Sequence, residues 1–359
     1  MYQPKESKKC VRVERQTMKE KNYQLEVLRV ISCFNVVLIH VCNLYSRSFG
    51  QITEGEYVFS VIFNAMARTS VPVFFMISGA TSLGSHYDFK KYAKKVGSMA
   101  AVLLVASVLY RIWNIVYFDR AYDYHDIFDT PTKLHLWYLY AYLGILIMLP
   151  FLQRMFRDLE KKYELLFVII WFTFIVVYRV LDRLNMDIGY PLPIIGSTYY
   201  VGYFVLGHLI CKYLKEIKIS RVWLYVIRYG SLLTTILLMC YGSFSRNKHY
   251  DWYWQYRALF IALQSIAMFI LIASAVPKKR TVFGKDFVAI IARLSFMIYL
   301  IHPFFLDIVK TELDYGKWSA YVAIPAFTLM TFLSAWITAA IIAFIKGKFK
   351  LLTTRKTTK

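Results

Sequence analysis

Acidic residues and paired cysteines are both scarce in this sequence. Asp and Glu together number 22 in 359 residues, against 44 Lys and Arg, so the formal net charge is +22. The five cysteines are scattered, odd in number and without CxxC spacing, which excludes a disulfide framework and a zinc site. Charged residues make up only 18% and hydrophobic residues 58%, which is unlike a typical soluble domain. A soluble enzyme, a disordered chain and a disulfide-rich secreted module are therefore disfavoured.

Long apolar runs dominate what is present. A bilayer core about 30 Å thick needs roughly 20 mostly apolar residues per helical span. The runs here are continuous, whereas membrane strands alternate apolar and polar residues. The sequence therefore predicts an all-α polytopic membrane protein with about ten transmembrane helices. They are expected near residues 25–45, 57–83, 96–118, 134–153, 165–180, 197–211, 222–241, 256–276, 288–309 and 320–345.

The basic residues fall in short clusters between the apolar runs. If the N-terminus is cytoplasmic, every inside segment carries more Lys and Arg than every outside loop, as the positive-inside rule expects. Membrane topology explains the charge better than nucleic acid does, so no nucleic-acid partner is expected. We predict two cytoplasmic termini, with basic tails at residues 1–22 and 346–359 around a membrane domain at 23–345. The first tail lacks the apolar centre of a signal peptide and is expected to contact anionic lipid.

The first predicted span carries ionisable residues, which are functional candidates because charge is costly inside a bilayer. Arg29 and His40 are 11 residues apart, so on a helix they share one face and lie about 16 Å apart along the axis. Asn43 follows one turn beyond His40. A snorkelling Arg and a structural His are the alternatives, and the shared face disfavours both.

The second predicted span contains Arg68, whose charge needs a partner or water. Residue counting places Arg68 between the depths of Arg29 and His40. Pro72 removes one backbone hydrogen bond, which predicts a kink, while Ser78 and Gly79 offer small surfaces for close helix contact. The alternative is a purely structural helix that is kinked at Pro72 and packed closely at Gly79. That alternative does not explain the charge of Arg68.

The ninth predicted span places Ser295, Tyr299 and His302 on a single helix face. His302 lies close to the depth expected for His40, so it could orient His40 or relay protons to it. The alternative is a structural histidine bonded to a neighbouring carbonyl beside Pro303.

Aromatic and polar residues open the fourth and eighth predicted spans on the outer side. His135 and Trp137 stand at the first, and Trp252 and Arg257 at the second. An interfacial aromatic belt would explain much of this. The alternative is a surface on which sugar rings stack and hydroxyls bind.

Taken in order, these segments resemble the acyltransferase-3 family, and within it the bacterial inner-membrane O-acetyltransferases of surface polysaccharides. The most specific element is the Arg29–x10–His40 spacing in LRVISCFNVVLIH. Supporting segments are RTSVPVFFMISG, LHLWYLYAYLGILIMLP, YYVGYFVLG and RLSFMIYLIHP. The similarity covers about residues 23–345.

The resemblance implies acyl transfer from a cytoplasmic acyl-CoA, usually acetyl-CoA, to a hydroxyl of a cell-surface or lipid-linked glycan. The enzyme would lie in the bacterial cytoplasmic membrane and use no metal. A transporter or flippase and a membrane sensor are the rival functions. Three points stay open. They are the identity of the acceptor, whether the donor carries succinyl instead of acetyl, and whether the chain self-associates.

Within that reaction, we predict His40 to be the general base, or the carrier of an acyl-imidazole. Arg29 would bind the phosphates of the donor, and Arg68 would stabilise the oxyanion or grip the diphosphate. Ser78 is assigned to the donor site. The predicted acceptor-binding residues are His135, Trp137, Trp252, Arg257, Tyr299 and His302.

Overall fold

A computed structural model describes residues 6–85, 88–120, 131–183, 199–275 and 282–356 of the chain. Within these ranges there are eleven α-helices, three short 3-10 segments and no strand. The helices are α1 (Glu6–Ser46), α2 (Glu54–Ala67), α3 (Ser70–Ser82), α4 (Phe89–Phe118), α5 (Trp137–Arg157), α6 (Lys161–Arg183), α7 (Tyr199–Lys212), α8 (Arg221–Phe244), α9 (Leu259–Ala273), α10 (Val282–Glu312) and α11 (Ala320–Lys356).

Eight segments of the described chain are long and apolar enough to cross a membrane. They coincide with eight of the ten predicted spans and confirm an all-α polytopic membrane protein. The fifth and sixth predicted spans fall on α6 and α7. Helix α7 has 14 residues, fewer than the roughly 20 that a crossing needs, and residues 184–198 before it lie outside the described ranges. The total of ten spans and the side of each terminus stay predictions.

Several helices begin at side chains that cap their first backbone N–H groups. Thr53 and Glu56 form a reciprocal capping box at the start of α2. Asp88 accepts a hydrogen bond from the Lys91 backbone N–H at 2.7 Å, and Ser220 caps α8 in the same way. These short polar residues set the helix boundaries between the apolar runs.

Residues 1–77 and 213–359 form one compact unit, and α1 lies at its centre. Helix α1 packs against α2, α9, α10 and α11, while α8 packs against α9. The apolar window of α1 is 56% buried, whereas that of α8 is only 22% buried and exposes large apolar side chains such as Trp223 and Leu233. An apolar exposed face of this kind is expected where a helix meets lipid, and the buried α1 is placed to carry a site.

Residues 78–212 form the second unit, in which α4 packs against α5 and α6 against α7. A Cβ at Gly79 would overlap the Phe204 backbone, which confirms the close helix contact predicted at this glycine. The Lys212 ammonium lies 2.7 Å from a carboxylate oxygen of Glu164, a residue that is only 1% exposed. This ion pair, with a buried carboxylate and a partly exposed ammonium, joins α6 to α7.

Candidate active site

A polar face runs along α1. The helix is continuous over Glu6–Ser46 and contains no proline in that range, so the predicted 3.6-residue periodicity applies to it. Arg29, His40 and Asn43 therefore share one face, as the sequence predicts. Arg47 follows directly after the helix and is 18 residues, or five full turns, from Arg29. The first three side chains are half-buried and Arg47 is exposed.

His40 and His302 lie side by side. Their ring centroids are 5.2 Å apart with the planes tilted by 44°, so the depth predicted for His302 is confirmed. His302 is fully buried, and its Nδ1 lies 2.8 Å from the Tyr299 carbonyl oxygen. A carbonyl can only accept, so Nδ1 carries the proton and Nε2 is the basic nitrogen. The sequence suggests two alternatives for His302, a contact with His40 or a hydrogen bond to a neighbouring carbonyl. The structure contains both contacts.

A contact between α1 and α10 keeps the two histidines in register. The Cys33 thiol on α1 donates to the Ser295 carbonyl oxygen on α10 at 3.5 Å. Ser295 and Tyr299 are both buried, as expected for the inward face of α10. The predicted face of the ninth span therefore points into the first unit.

Arg68 is held by two asparagines. Its Nε donates to Oδ1 of Asn64 at 3.0 Å, and its Nη2 donates to Oδ1 of Asn43 at 3.3 Å. The Asn64 amide also donates to Asn43 at 2.9 Å, and Asn64 is fully buried. The guanidinium is thus fixed by neutral oxygens rather than by a carboxylate.

The depth predicted for Arg68 was wrong. Its side chain contacts Asn43, which lies beyond His40 on the side away from Arg29. The count followed the backbone of α2, but the Arg68 Nε bonds Asn64 one turn earlier, so the long side chain reaches back towards Asn43 and carries the charge past His40. Helix α2 ends at Ala67, and α3 begins only at Ser70. Pro72 explains the break, because it has no N–H to bond the carbonyl of residue 68 and its ring crowds that carbonyl. The helix is thus interrupted just before Pro72, where the sequence predicts a kink.

Two aromatic side chains from the α8–α9 connection contact Arg68. The Arg68 Cζ lies 4.6 Å from the ring centroid of Trp254 and 5.8 Å from that of Tyr256. Cation–π contacts of this kind favour a fixed guanidinium. Trp254 is 1% exposed, whereas Tyr256 is half-buried.

The predicted Trp252 and Arg257 are neighbours of these two contact residues. Trp252 packs edge-on against Tyr253 with ring centroids 5.0 Å apart, and Arg257 Nε donates to Gln255 at 3.2 Å. The backbone is extended at Gln255, which lies between Trp254 and Tyr256. Alternate residues of an extended segment share a face, and that pattern in WYWQY could have indicated Trp254 and Tyr256.

A buried network that sequence reasoning missed anchors the same connection. The Tyr57 hydroxyl donates to Ser243 Oγ at 2.6 Å and lies 3.2 Å from His249 Nδ1. Burial lowers the pKa of His249 to about 4; Asp251 opposes this, while Arg47 and Arg68 add to it. His249 is therefore neutral near pH 7. The network has no short-range sequence signal, because Tyr57 and Ser243 are 186 residues apart.

Arg29, Arg47 and Arg68 form no ion pair with a carboxylate of the described residues. The ion pairs found in the described ranges are formed by other residues. The same ranges contain no cluster of His, Cys, Asp or Glu that could hold a metal ion. The site is thus a set of imidazoles and guanidiniums.

Three predicted site residues belong to the second unit. Ser78 is half-buried on α3. His135 is buried, with its ring 5.0 Å from Tyr110, and the Trp137 ring lies 5.2 Å from Tyr200. Their assignments to donor or acceptor binding stay predictions.

A family model described as an acyltransferase domain matches residues 22–343. The matched range includes every predicted site residue, from Arg29 to His302. No curated protein and no solved structure matches the chain.

Proposed function

This chain belongs to the acyltransferase-3 family and is a membrane acyltransferase, and we propose that it acetylates a glycan hydroxyl. The donor is acetyl-CoA on the cytoplasmic side, and the acceptor is a cell-surface or lipid-linked glycan. The enzyme works in the bacterial cytoplasmic membrane with both termini inside. The observation that carries the proposal is the contact between His302 of α10 and His40, which lies on the polar face of α1 between Arg29 and the Asn43 that Arg68 contacts.

Arg29 binds the donor in this scheme. It is half-buried, and no described side chain forms a hydrogen bond or an ion pair with it, so its guanidinium is available for phosphate. The axial distance from Arg29 to His40 is about 16 Å, comparable with the reach of the pantetheine arm of CoA. A donor held by its phosphates at Arg29 would therefore bring its thioester to His40.

His40 is the general base. It takes the proton of the acceptor hydroxyl while that oxygen attacks the thioester carbonyl, a role worth about 10²–10⁴-fold in rate. The carbon–sulfur bond then breaks, and the CoA thiolate recovers the proton from His40. The products are a glycan ester and CoA, with no net proton taken up or released.

His302 assists His40. Its Nδ1 proton is committed to the Tyr299 carbonyl, so Nε2 is the ring nitrogen that can accept a hydrogen bond. A protonated His40 can donate to that lone pair, either directly or through one water. The neighbouring imidazole would then take the role that a carboxylate plays in other catalytic pairs.

Arg68 stabilises the negative charge that develops on the thioester oxygen. Fixed donors in a site shielded from water are effective in this role because they need no reorganisation during the reaction. The contacts with Asn43, Asn64 and Trp254 supply that fixation.

The test is CoA release by the purified full chain, with acetyl-CoA as donor and glycan from the native host as acceptor. We expect His40→Ala to lower the rate at least about 10²-fold while acetyl-CoA still raises its melting temperature. His208→Ala is the matched control, because it removes a half-buried histidine from the second unit, and it should keep its activity. Normal transfer by His40→Ala would overturn the mechanism.

A failure of acetyl-CoA to stabilise the wild-type chain would overturn the choice of donor and favour a transporter. Mass spectrometry of surface glycans from cells with and without the gene identifies the acceptor. The expected result is the loss of one acetyl mass from one glycan.

A further inference from the structure

Positive charge is concentrated at the end of α1 that carries Arg47. Arg47 and Arg68 repel one another, and both act electrostatically on His249. Arg47 is exposed, Arg68 is half-buried, and no described carboxylate forms an ion pair with either. Asp251 acts on Arg68 and on His249 in the opposite sense, and more strongly than Arg47 does. It therefore offsets part of this positive charge without forming an ion pair with either arginine, and a bound anion would offset the rest.

The Arg68 guanidinium is pre-organised for such an anion. An arginine has five N–H donors, and the bonds to Asn43 and Asn64 use two of them. The Tyr256 hydroxyl is a further neutral partner, and the buried Trp254 ring lies against the guanidinium. The remaining N–H groups are therefore held in place both for the thioester oxygen of the proposed mechanism and for an anion on the Arg47 side.

Position along α1 decides which substrate brings the anion. Donor phosphates bound at Arg29 lie on one side of His40, about 16 Å away along the axis. Arg68 contacts Asn43 on the opposite side, and Arg47 is one turn further on. One donor molecule whose thioester reaches His40 cannot also place its phosphates at Arg68. The anion must then arrive with the other substrate.

We infer that the acceptor carries an anionic group, a phosphate or a carboxylate, that binds between Arg47 and Arg68 close to the hydroxyl that is acylated. This inference rests on the proposed function. Arg47 is seven residues from His40, or about 10 Å along the axis, so the anion lies on the same sugar as the hydroxyl or on its neighbour. The substrate class is an acidic or phosphate-bearing glycan rather than a neutral one.

The experiment compares three acceptors that differ in charge: methyl glucoside, methyl glucuronide and glucose 1-phosphate. CoA release by the purified full chain gives kcat and KM for each. We expect kcat/KM for at least one anionic acceptor to exceed that of methyl glucoside by about tenfold or more, mainly through KM. The better of the two anionic acceptors tells whether the chain prefers carboxylate or phosphate.

Arg47→Gln should lower the ratio of anionic to neutral kcat/KM severalfold, while Arg68 retains part of the preference. Lys248→Gln is the matched control, since it removes one exposed positive charge from the α8–α9 connection rather than from the end of α1, and it should keep the wild-type ratio. Equal use of charged and neutral acceptors by the wild type would overturn the inference, as would a parallel loss for all three acceptors in Arg47→Gln. Neither result touches the proposed function, which fails only if wild type and His40→Ala release CoA equally.

Discussion

The two ends of the polar face on α1 are built differently. At one end, Arg29 is half-buried and has no polar partner among the described side chains. At the other end, Arg68 is fixed by Asn43, Asn64 and Trp254, and a buried network holds the connection that supplies Trp254. An adaptable cation suits a long flexible donor, whereas a fixed cation suits charge that develops at one point. Pre-organisation is therefore concentrated on the Asn43 side of His40.

The largest effect that separates the two ends is expected from Arg68→Gln. The fixed guanidinium lies on the Asn43 side, so its loss should lower kcat about 10²–10³-fold and leave the Kd of acetyl-CoA unchanged. Arg68→Lys keeps the charge without the planar fork and should recover only part of the loss. Steady-state kinetics and equilibrium binding of acetyl-CoA provide the measurement. A weaker Kd in Arg68→Gln would instead place Arg68 with the donor.

The His40–His302 pair lies between the two ends of the polar face, and His302→Asn tests its role. The Asn amide can still donate to the Tyr299 carbonyl, but it cannot supply the basic Nε2. We expect kcat to fall about 10²-fold with both KM values unchanged, and the pH dependence of kcat to shift. Circular dichroism and the melting temperature control for folding. A variant with wild-type kcat and pH profile would show that His302 only packs the helix.

The donor end is tested by Arg29→Gln. The loss of one charged contact to phosphate should raise the KM for acetyl-CoA about tenfold or more, with a small change in kcat. S-acetylpantetheine lacks the nucleotide phosphates, so its KM should be the same in variant and wild type. An equal loss with both donors would mean that Arg29 supports the helix rather than the phosphates.

The smallest effect concerns the network at the Arg47 end. The pKa of His249 in the folded chain, about 4, lies below its ordinary value near 6.5. Between these values the unfolded chain binds the proton and the folded chain does not, so stability falls as the pH falls through this window. Melting temperatures from pH 7 to pH 4.5 should decline less in His249→Gln than in the wild type. Parallel declines would remove His249 as the cause.

Periodicity along single helices was the most informative sequence signal. It placed Arg29, His40 and Asn43 on one face, and it brought His302 to the depth of His40. Both predictions depend only on 3.6 residues per turn and on the direction of each span. The family match is consistent with the same segments.

The surroundings of Arg68 were not predictable in the same way. The direction of its long side chain depends on hydrogen bonds with Asn64 and Asn43, and counting residues along one helix does not give that direction. Trp254 and Tyr57 reach the site through contacts across long stretches of chain, which no local pattern encodes. The count of ten spans was weakest at α7, where apolar composition alone does not set helix length.

The interruption between α2 and α3 also bears on hydration. Pro72 cannot offer an N–H to the Arg68 carbonyl, and a peptide oxygen at membrane depth must find another donor. Water is the simplest supplier, so we expect a water molecule bound to this carbonyl even where the site is otherwise shielded from solvent. We therefore expect the enzyme to hydrolyse the thioester slowly when no acceptor alcohol is present, as a consequence of the interruption between α2 and α3.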